Sequence, residues 1–201
     1  DKTIFEADAT YRFETLMNRF REMAFVTSGV FMTLRDERPS PTREMSFYFE
    51  GGVKSFVRYL NRNRKPIHDP VYDRKEVDGI EVEVAMQYTE GIAISEFAFA
   101  NTIHTPDGGT HLTGVRTAVT RVINTYARKN NFLKEKDTNF SSDDTREGLT
   151  AVISVKHPDP QFESQTKVKL MNAEVAGIVA SVTADAFSLY LEENPREAKK
   201  I

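Results

Sequence analysis

Gly79-Ile80-Glu81-Val82-Glu83-Val84-Ala85-Met86-Gln87-Tyr88-Thr89 places an apolar side chain at every even position from Ile80 to Tyr88. Successive side chains of a strand point to opposite faces, so this strict period of two predicts a strand over 79–89, the clearest in the chain. Thr89-Glu90-Gly91 follows as a short turn, and Ile94 to Asn101 runs back. That spacing and turn chemistry predict a β-hairpin. Val53, Phe56, Val57 and Leu60 upstream recur at i, i+3, i+4 and i+7, as in a helix of about three turns. Leu112, Val115, Val119, Val122, Ile123 and Tyr126 downstream predict a long helix over 110–129. Helices interleaved with strands, and hairpin connections in the middle, argue α+β with helices on one face of a largely antiparallel sheet.

Further out towards the N-terminus, residues 4–6 read as a short strand, with Asp8 and Thr10 as candidate N-caps. Phe13, Leu16, Met17, Phe20 and Ala24 predict an amphipathic helix over 11–25, ended by Gly29. Val30, Met32 and Leu34 alternate as a strand with both faces partly apolar. This strand-helix-strand unit is too small to bury a core alone. The two-proline stretch Asp36-Glu37-Arg38-Pro39-Ser40-Pro41 is the best candidate boundary. Met45, Phe47 and Phe49 alternate as a strand, broken by Gly51-Gly52. Val71 to Val77 is a weaker strand. Towards the C-terminus, residues 129–146 are polar and read as a mobile surface loop. Leu149, Ala151, Ile153 and Val155, with Val152 on the opposite face, predict a central strand. Val175, Ile178, Val179, Val182, Phe187 and Leu191 predict a final long helix from about 172 to 193. Pro195 interrupts it, and residues 196–201 look like the start of a further helix.

The 201 residues carry a net charge of −3, so no global basic field points to nucleic acid and any DNA contact must be a local patch. There is no cysteine, which excludes disulfides and cysteine-ligated metals. No apolar run approaches the roughly 20 residues needed to span a bilayer, and no signal peptide is visible. The first residue is Asp1 rather than Met, and the chain is expected to be a piece of something longer.

No P-loop, Gly-x-Gly-x-x-Gly, paired-histidine or Gly-x-Ser-x-Gly pattern is present. His68, His104, His111 and His157 are scattered and read as structural or solvated. Arg62-Asn63-Arg64-Lys65 closes a helix where its dipole favours cations. Gly108-Gly109 is a turn before a helix, or a cradle for an anion on free N–H groups. The stretch Pro158-Asp159-Pro160-Gln161-Phe162-Glu163-Ser164-Gln165-Thr166-Lys167 is stiffened by two prolines. It carries an amide, a hydroxyl and an ammonium in sequence, all able to donate to phosphate oxygens. The residues alone leave open whether it is a solvated loop or a phosphate contact.

Six stretches together resemble the ATPase subunits of type IIA DNA topoisomerases, those of bacterial DNA gyrase (gyrase B) and of topoisomerase IV. They are Arg21-Glu22-Met23-Ala24-Phe25, Leu34-Arg35-Asp36-Glu37-Arg38, Phe49-Glu50-Gly51-Gly52, Asp107-Gly108-Gly109-Thr110-His111, Arg146-Glu147-Gly148-Leu149 and Gln165-Thr166-Lys167. The likeness covers nearly the whole chain in the family's order. It implies that residues 1–38 are the C-terminal β-α-β edge of a GHKL-type ATPase domain, 39–42 a connector, and 43–201 a transducer domain with a ribosomal-protein-type α/β sandwich-like fold. It implies ATP and magnesium as ligands, bound mainly by parts of the subunit outside this chain. Lys167 is then the catalytic contact to the γ-phosphate and Gln165 a second nucleotide contact. Arg116 faces a cavity through which DNA passes, although an arginine capping a helix face reads the same way. The implied partners are DNA, a second copy of the same polypeptide in an ATP-dependent clamp, and gyrase A. The implied location is the cytoplasm, with no membrane. The implied activity is ATP-dependent strand passage and negative supercoiling. Decatenation by a topoisomerase IV ATPase is the close alternative, and a non-enzymatic nucleic-acid-binding α+β domain the more distant one.

Overall fold

The computed structural model describes residues 3–4 and 10–201. The expected Asp8 cap and most of the expected 4–6 strand lie outside the described residues. The chain divides into two compact units, Asp1–Gly52 and Val53–Ile201. This division lies beyond the proline-rich connector, because the strand that follows the connector pairs with the strand that precedes it.

In the first unit, helix α1 (Phe13–Val26) is followed by β1 (Met32–Asp36) and β2 (Arg43–Phe47). The two strands are antiparallel, with Met32 opposite Phe47 and Asp36 opposite Arg43. Arg12, not Thr10, stands at the N-cap of α1, and its side chain makes no capping bond. Phe13, Ala24, Phe25, Val26 and Phe47 are buried, and the rings of Phe25 and Phe49 stack with centroids 3.7 Å apart. Arg43 ties the layers by donating to Glu14 at 2.7 Å while its guanidinium lies 4.2 Å from the Phe13 centroid. Arg38 donates to both Asp36 oxygens at 2.7 Å and holds that carboxyl down at about 2.

The second unit begins with α2 (Gly52–Leu60), followed by β3 (Val71–Val77), β4 (Ile80–Tyr88), β5 (Ser95–Ala100) and β6 (Ile103–His104). Then come α3 (Thr110–Lys129), β7 (Leu149–Lys156), α4 (Ala173–Glu193) and the short α5 (Pro195–Ala198). The strands form one sheet in the order β3-β4-β7-β5-β6. The expected hairpin between residues 79–89 and 94–101 is therefore not formed. β7 lies between them, antiparallel to β4 (Val84 opposite Ile153) and parallel to β5 (Ala98 opposite Ile153).

Burial accounts for the insertion. On β7, Leu149, Ala151, Ile153 and Val155 face one side and Thr150, Val152 and Ser154 the other, and all seven are buried. A strand covered on both faces belongs at the centre of a sheet. Residues 89–94 need only cross two strand spacings, about 10 Å, which six residues reach with ease.

One sheet face packs against α3 and α4. Val82, Val84 and Met86 of β4 meet Val115 and Val119 of α3 and Val175, Val179 and Phe187 of α4 in one core. Each such side chain contributes on the order of 1.5–3 kcal/mol on burial. Gly114 permits the close helix crossing, since a Cβ there would lie 2.6 Å from the Ala176 carbonyl oxygen. α4 is by length and composition apolar enough to cross a membrane, and its apolar side is the one buried in this core.

The other face is not bare, contrary to the expectation of helices on one side only. Phe56 of α2 meets the Phe97 and Phe99 rings of β5 at 5.5 and 6.1 Å. Beside them, Asn61 donates to Gln87 at 2.9 Å and accepts from Thr150 at 2.8 Å, so the polar groups buried on this face are paired. The polar stretch after α3 is tied back rather than loose. Arg128 donates to the Lys134 and Asp137 carbonyls and to Asn139, and Asn124 bonds both backbone groups of Phe140.

Two buried histidines make stability depend on pH. His68 Nε2 accepts the Tyr88 N–H at 2.8 Å, and His111 Nε2 lies 3.0 Å from the Thr105 hydroxyl. Burial lowers both pKa values, that of His111 from 6.5 to about 4 against a smaller opposing effect of the Gly109 backbone. The unfolded chain therefore takes up these protons first as pH falls. Their contribution is complete above about pH 6.5 and is lost on going down towards the folded values. Urea denaturation between about pH 7 and pH 5 should show stability falling by up to about 1.4 kcal/mol per pH unit per histidine. His111→Gln should lessen the slope, and an equal slope in that variant would contradict the assignment.

Candidate functional site

β7 ends at Lys156 and α4 begins at Ala173, and the residues between them fold into a small hairpin. Met171 N–H donates to the Gln161 carbonyl at 2.8 Å and Glu163 N–H to the Lys169 carbonyl at 3.1 Å. At the tip, Lys167 N–H closes a turn on the Ser164 carbonyl at 3.0 Å, and the Ser164 and Thr166 hydroxyls are 2.6 Å apart. Lys167 has φ of +56°, a left-handed conformation that is uncommon for a residue with a Cβ. Such conformations persist where the surroundings over-determine them.

The second arm of the hairpin rests on the stretch before α3. Asp107 N–H donates to Val168, Leu170 N–H to Gly108, and Thr110 N–H to Leu170, all at 3.0–3.1 Å. Leu170 is fully buried. Gly109 has φ of +132°, and a Cβ there would lie 2.3 Å from the Leu170 carbonyl oxygen. The glycine pair thus serves backbone-to-backbone contact with the loop. The anion-cradle reading loses its donors instead: the Gly108 and Thr110 N–H groups are already bonded to the Thr105 and Leu170 carbonyls.

Held this way, the tip presents Gln165 and Thr166 exposed and Lys167 half-buried. The Lys167 ammonium lies 5.8 Å from the Phe162 ring centroid, and it has no carboxylate partner among the described residues. Lys169, two residues on, is paired with Glu163 at 3.0 Å. Of the two loop cations, Lys167 is the one whose charge is left for an anion from elsewhere.

Arg116 projects from α3 in a different arrangement. Its Nε lies 3.1 Å from both Glu96 oxygens and its Nη2 2.5 Å from one of them. Arg146 reaches the same carboxylate at 3.4 Å and Asp143 at 2.5 Å. Glu96 is nearly buried, and the ion pair pushes the Arg116 pKa up. Glu96 and Asp143 together balance the two arginines. Arg116 lines a groove of about 630 Å³ with Arg121, Thr113, Thr117, Thr120 and Asn124. A smaller groove of about 240 Å³ joins Arg116 to the foot of the loop at Lys169 and Met171.

Sequence reading missed Glu96 as the partner of Arg116 and Arg146 as the second cation on that carboxylate. Glu96 lies on the same face of β5 as the core residues Ala98 and Ala100, and a carboxylate on such a face needs a cation. His104 stacks on Phe97 and Phe99, and His157 bonds Glu174 at 2.9 Å. Among the described residues no three His, Asp or Glu side chains are grouped to hold a metal ion.

The sequence profile of the family described as DNA gyrase B matches residues 52–201. The chain belongs to the DNA gyrase B family. The DNA gyrase B polypeptide of Bacillus mycoides is 50% identical over 202 residues, which cover 100% of this chain and 50% of that protein. The 43K ATPase domain of Thermus thermophilus gyrase B, solved in complex with an aminocoumarin, superposes with a TM-score of 0.82 at 38% identity, over 100% of this chain and 53% of that one. The topoisomerase IV ATP-binding domain of Francisella tularensis gives 0.81 at 27% identity, with the same coverage. The chain thus spans about half the length of the B. mycoides relative. The profile match coincides almost residue for residue with the second compact unit of this gyrase B family member.

Because Gly109 touches the backbone of Leu170, Gly109→Ala should destabilise this chain by about 2 kcal/mol or more in urea denaturation. Gly177→Ala, where an added Cβ meets nothing within 4 Å, serves as the control and should not destabilise. Equal stability of the two variants would show that the loop is not pinned at Gly109.

Proposed function

We propose that this chain is part of the ATPase subunit of a type IIA DNA topoisomerase of the gyrase kind, with Lys167 as its contact to the γ-phosphate of ATP. The observation that carries the proposal is the Lys167 ammonium, held at the tip of a pinned hairpin without a carboxylate partner among the described residues. ATP is the substrate, and Gln165 supplies a neutral donor beside the charge. Phosphoryl transfer demands mainly positioning and charge stabilisation, and a fixed ammonium supplies both. A lysine of this kind also reports nucleotide state, since its anionic partner disappears once the γ-phosphate is hydrolysed and released. That differential contact can bias a two-state domain motion.

On this reading residues 1–38 are the edge of a GHKL-type ATPase domain, 39–42 the connector and 43–201 the transducer domain, whose first strand β2 pairs back onto β1 within the first compact unit. Magnesium is held by other parts of the full-length polypeptide. The partners are DNA, a second copy of that polypeptide, which closes the clamp, and gyrase A, in the cytoplasm. The gyrase profile and the 50% identity to a gyrase B polypeptide favour supercoiling over decatenation. Arg116 and Arg121 line the side facing DNA. Since Glu96 already offsets part of the Arg116 charge, its phosphate contact is weaker than that of a free arginine.

In the full-length protein, Lys167→Ala should lower ATP turnover by roughly 100-fold or more with the melting temperature unchanged. Normal turnover would refute the proposed role. For DNA, Arg116→Ala should reduce the slope of log affinity against log salt by about 1 or less, measured by titration. An unaltered slope would remove Arg116 from the DNA-facing surface.

A further inference from the structure

The first arm of the loop has an unusual hydrogen-bond inventory. Pro158 and Pro160 have no N–H, so residues 157–161 carry only three backbone donors, those of His157, Asp159 and Gln161. All three are taken by side chains. His157 N–H donates to Asn101 Oδ1 at 2.7 Å, Asp159 N–H to His157 Nδ1 at 3.0 Å, and Gln161 N–H to Asn172 Oδ1 at 2.7 Å. Since His157 Nδ1 accepts, its ring proton sits on Nε2 and is donated to Glu174. Asn101 closes a second bond by donating from Nδ2 to the His157 carbonyl at 2.8 Å.

Asn172 is the least expected member of this set. It stands at the N-cap of α4, where an Asn side chain ordinarily accepts an N–H from the first helical turn. Here it makes no capping bond. Its Oδ1 faces the loop at Gln161, and its Nδ2 donates to the Asp159 carbonyl at 3.3 Å and to Glu174 at 3.1 Å. It is 4% exposed, so its orientation is enforced by its surroundings. The helix forgoes its cap, and the side chain bridges both ends of the segment that carries Lys167.

We propose that Asn172 is a positioning residue for Lys167, holding the proline-stiffened arm in the place from which the tip meets the γ-phosphate. The inference rests on the proposed role of Lys167. Serine separates the two possible duties of the side chain, because it is a good helix cap but too short to reach Gln161.

The test is made on the full-length protein with Asn172→Ser, Asn101→Ala and Lys167→Ala. The measurements are ATP turnover, affinities for ADP and for a non-hydrolysable ATP analogue, and melting temperature. Asn172→Ser should lower turnover by about 10-fold, the scale on which a misplaced group loses effect. It should weaken the triphosphate analogue while leaving ADP within about twofold, and it should not lower the melting temperature. Asn101→Ala, on a different element, should show the same triphosphate-selective loss. Normal turnover in Asn172→Ser, or a parallel loss of ADP affinity and melting temperature, would overturn the inference. If Lys167→Ala loses turnover while Asn172→Ser does not, the positioning role alone fails. If Lys167→Ala turns over normally, the proposed role of Lys167 fails and the positioning role with it.

Discussion

β7 carries a hydrogen-bonded ladder on each edge and buried side chains on each face, and its position governs everything that follows Lys156. A strand so enclosed cannot shift register without moving Ile153 and Val155 out of one core and Val152 out of the other. The loop therefore leaves the sheet at a fixed point and in a fixed direction. α4 returns over the same sheet, with Val175 and Val179 in the core it shares with α3, so both ends of the loop are anchored independently of the contacts within it.

Upon that frame the loop is held by two different kinds of interaction. Its second arm is joined backbone to backbone, through Gly108, Gly109 and Leu170, which only the absence of a Cβ at 109 permits. Its first arm contains two prolines and cannot extend such a ladder, so side chains from the β5–β6 turn and the start of α4 hold it instead. The left-handed backbone at Lys167 is a local cost borne by this double anchorage. An ammonium on a freely moving loop would lose conformational entropy on meeting an anion. Here most of that ordering is done by folding.

Arg116 and Lys167 illustrate two states of a cation. Arg116 shares Glu96 with Arg146, an arrangement in which removing the carboxylate would leave a nearly buried Arg146 with the exposed Asp143 as its one remaining carboxylate partner among the described residues. Its charge is in part structural. Lys167 has no such partner among the described residues, and under the proposed function its charge is the one that meets the nucleotide. One cation is thus neutralised within the fold and the other is not, and only the neighbours distinguish them.

Local periodicity in the sequence determined the kind and position of nearly every regular element, from α1 to α4, because a period of two or 3.6 is set by the backbone geometry of the element itself. It also marked the polar, proline-stiffened loop with Lys167 at its end, and six short stretches carried the family. Strand order was not legible. The turn at Thr89-Glu90-Gly91 suits a hairpin, yet β7, some 60 residues away by number, displaces β5 from the edge of β4, since partner choice depends on which strand can be buried on both faces. Nor could local pattern show that Glu96 neutralises Arg116, or that Asn172 turns from its helix to the loop. Those bonds join residues 20 and 11 positions apart on different elements, and hydrogen bonding and charge pairing follow distance in space, which the tertiary structure alone decides.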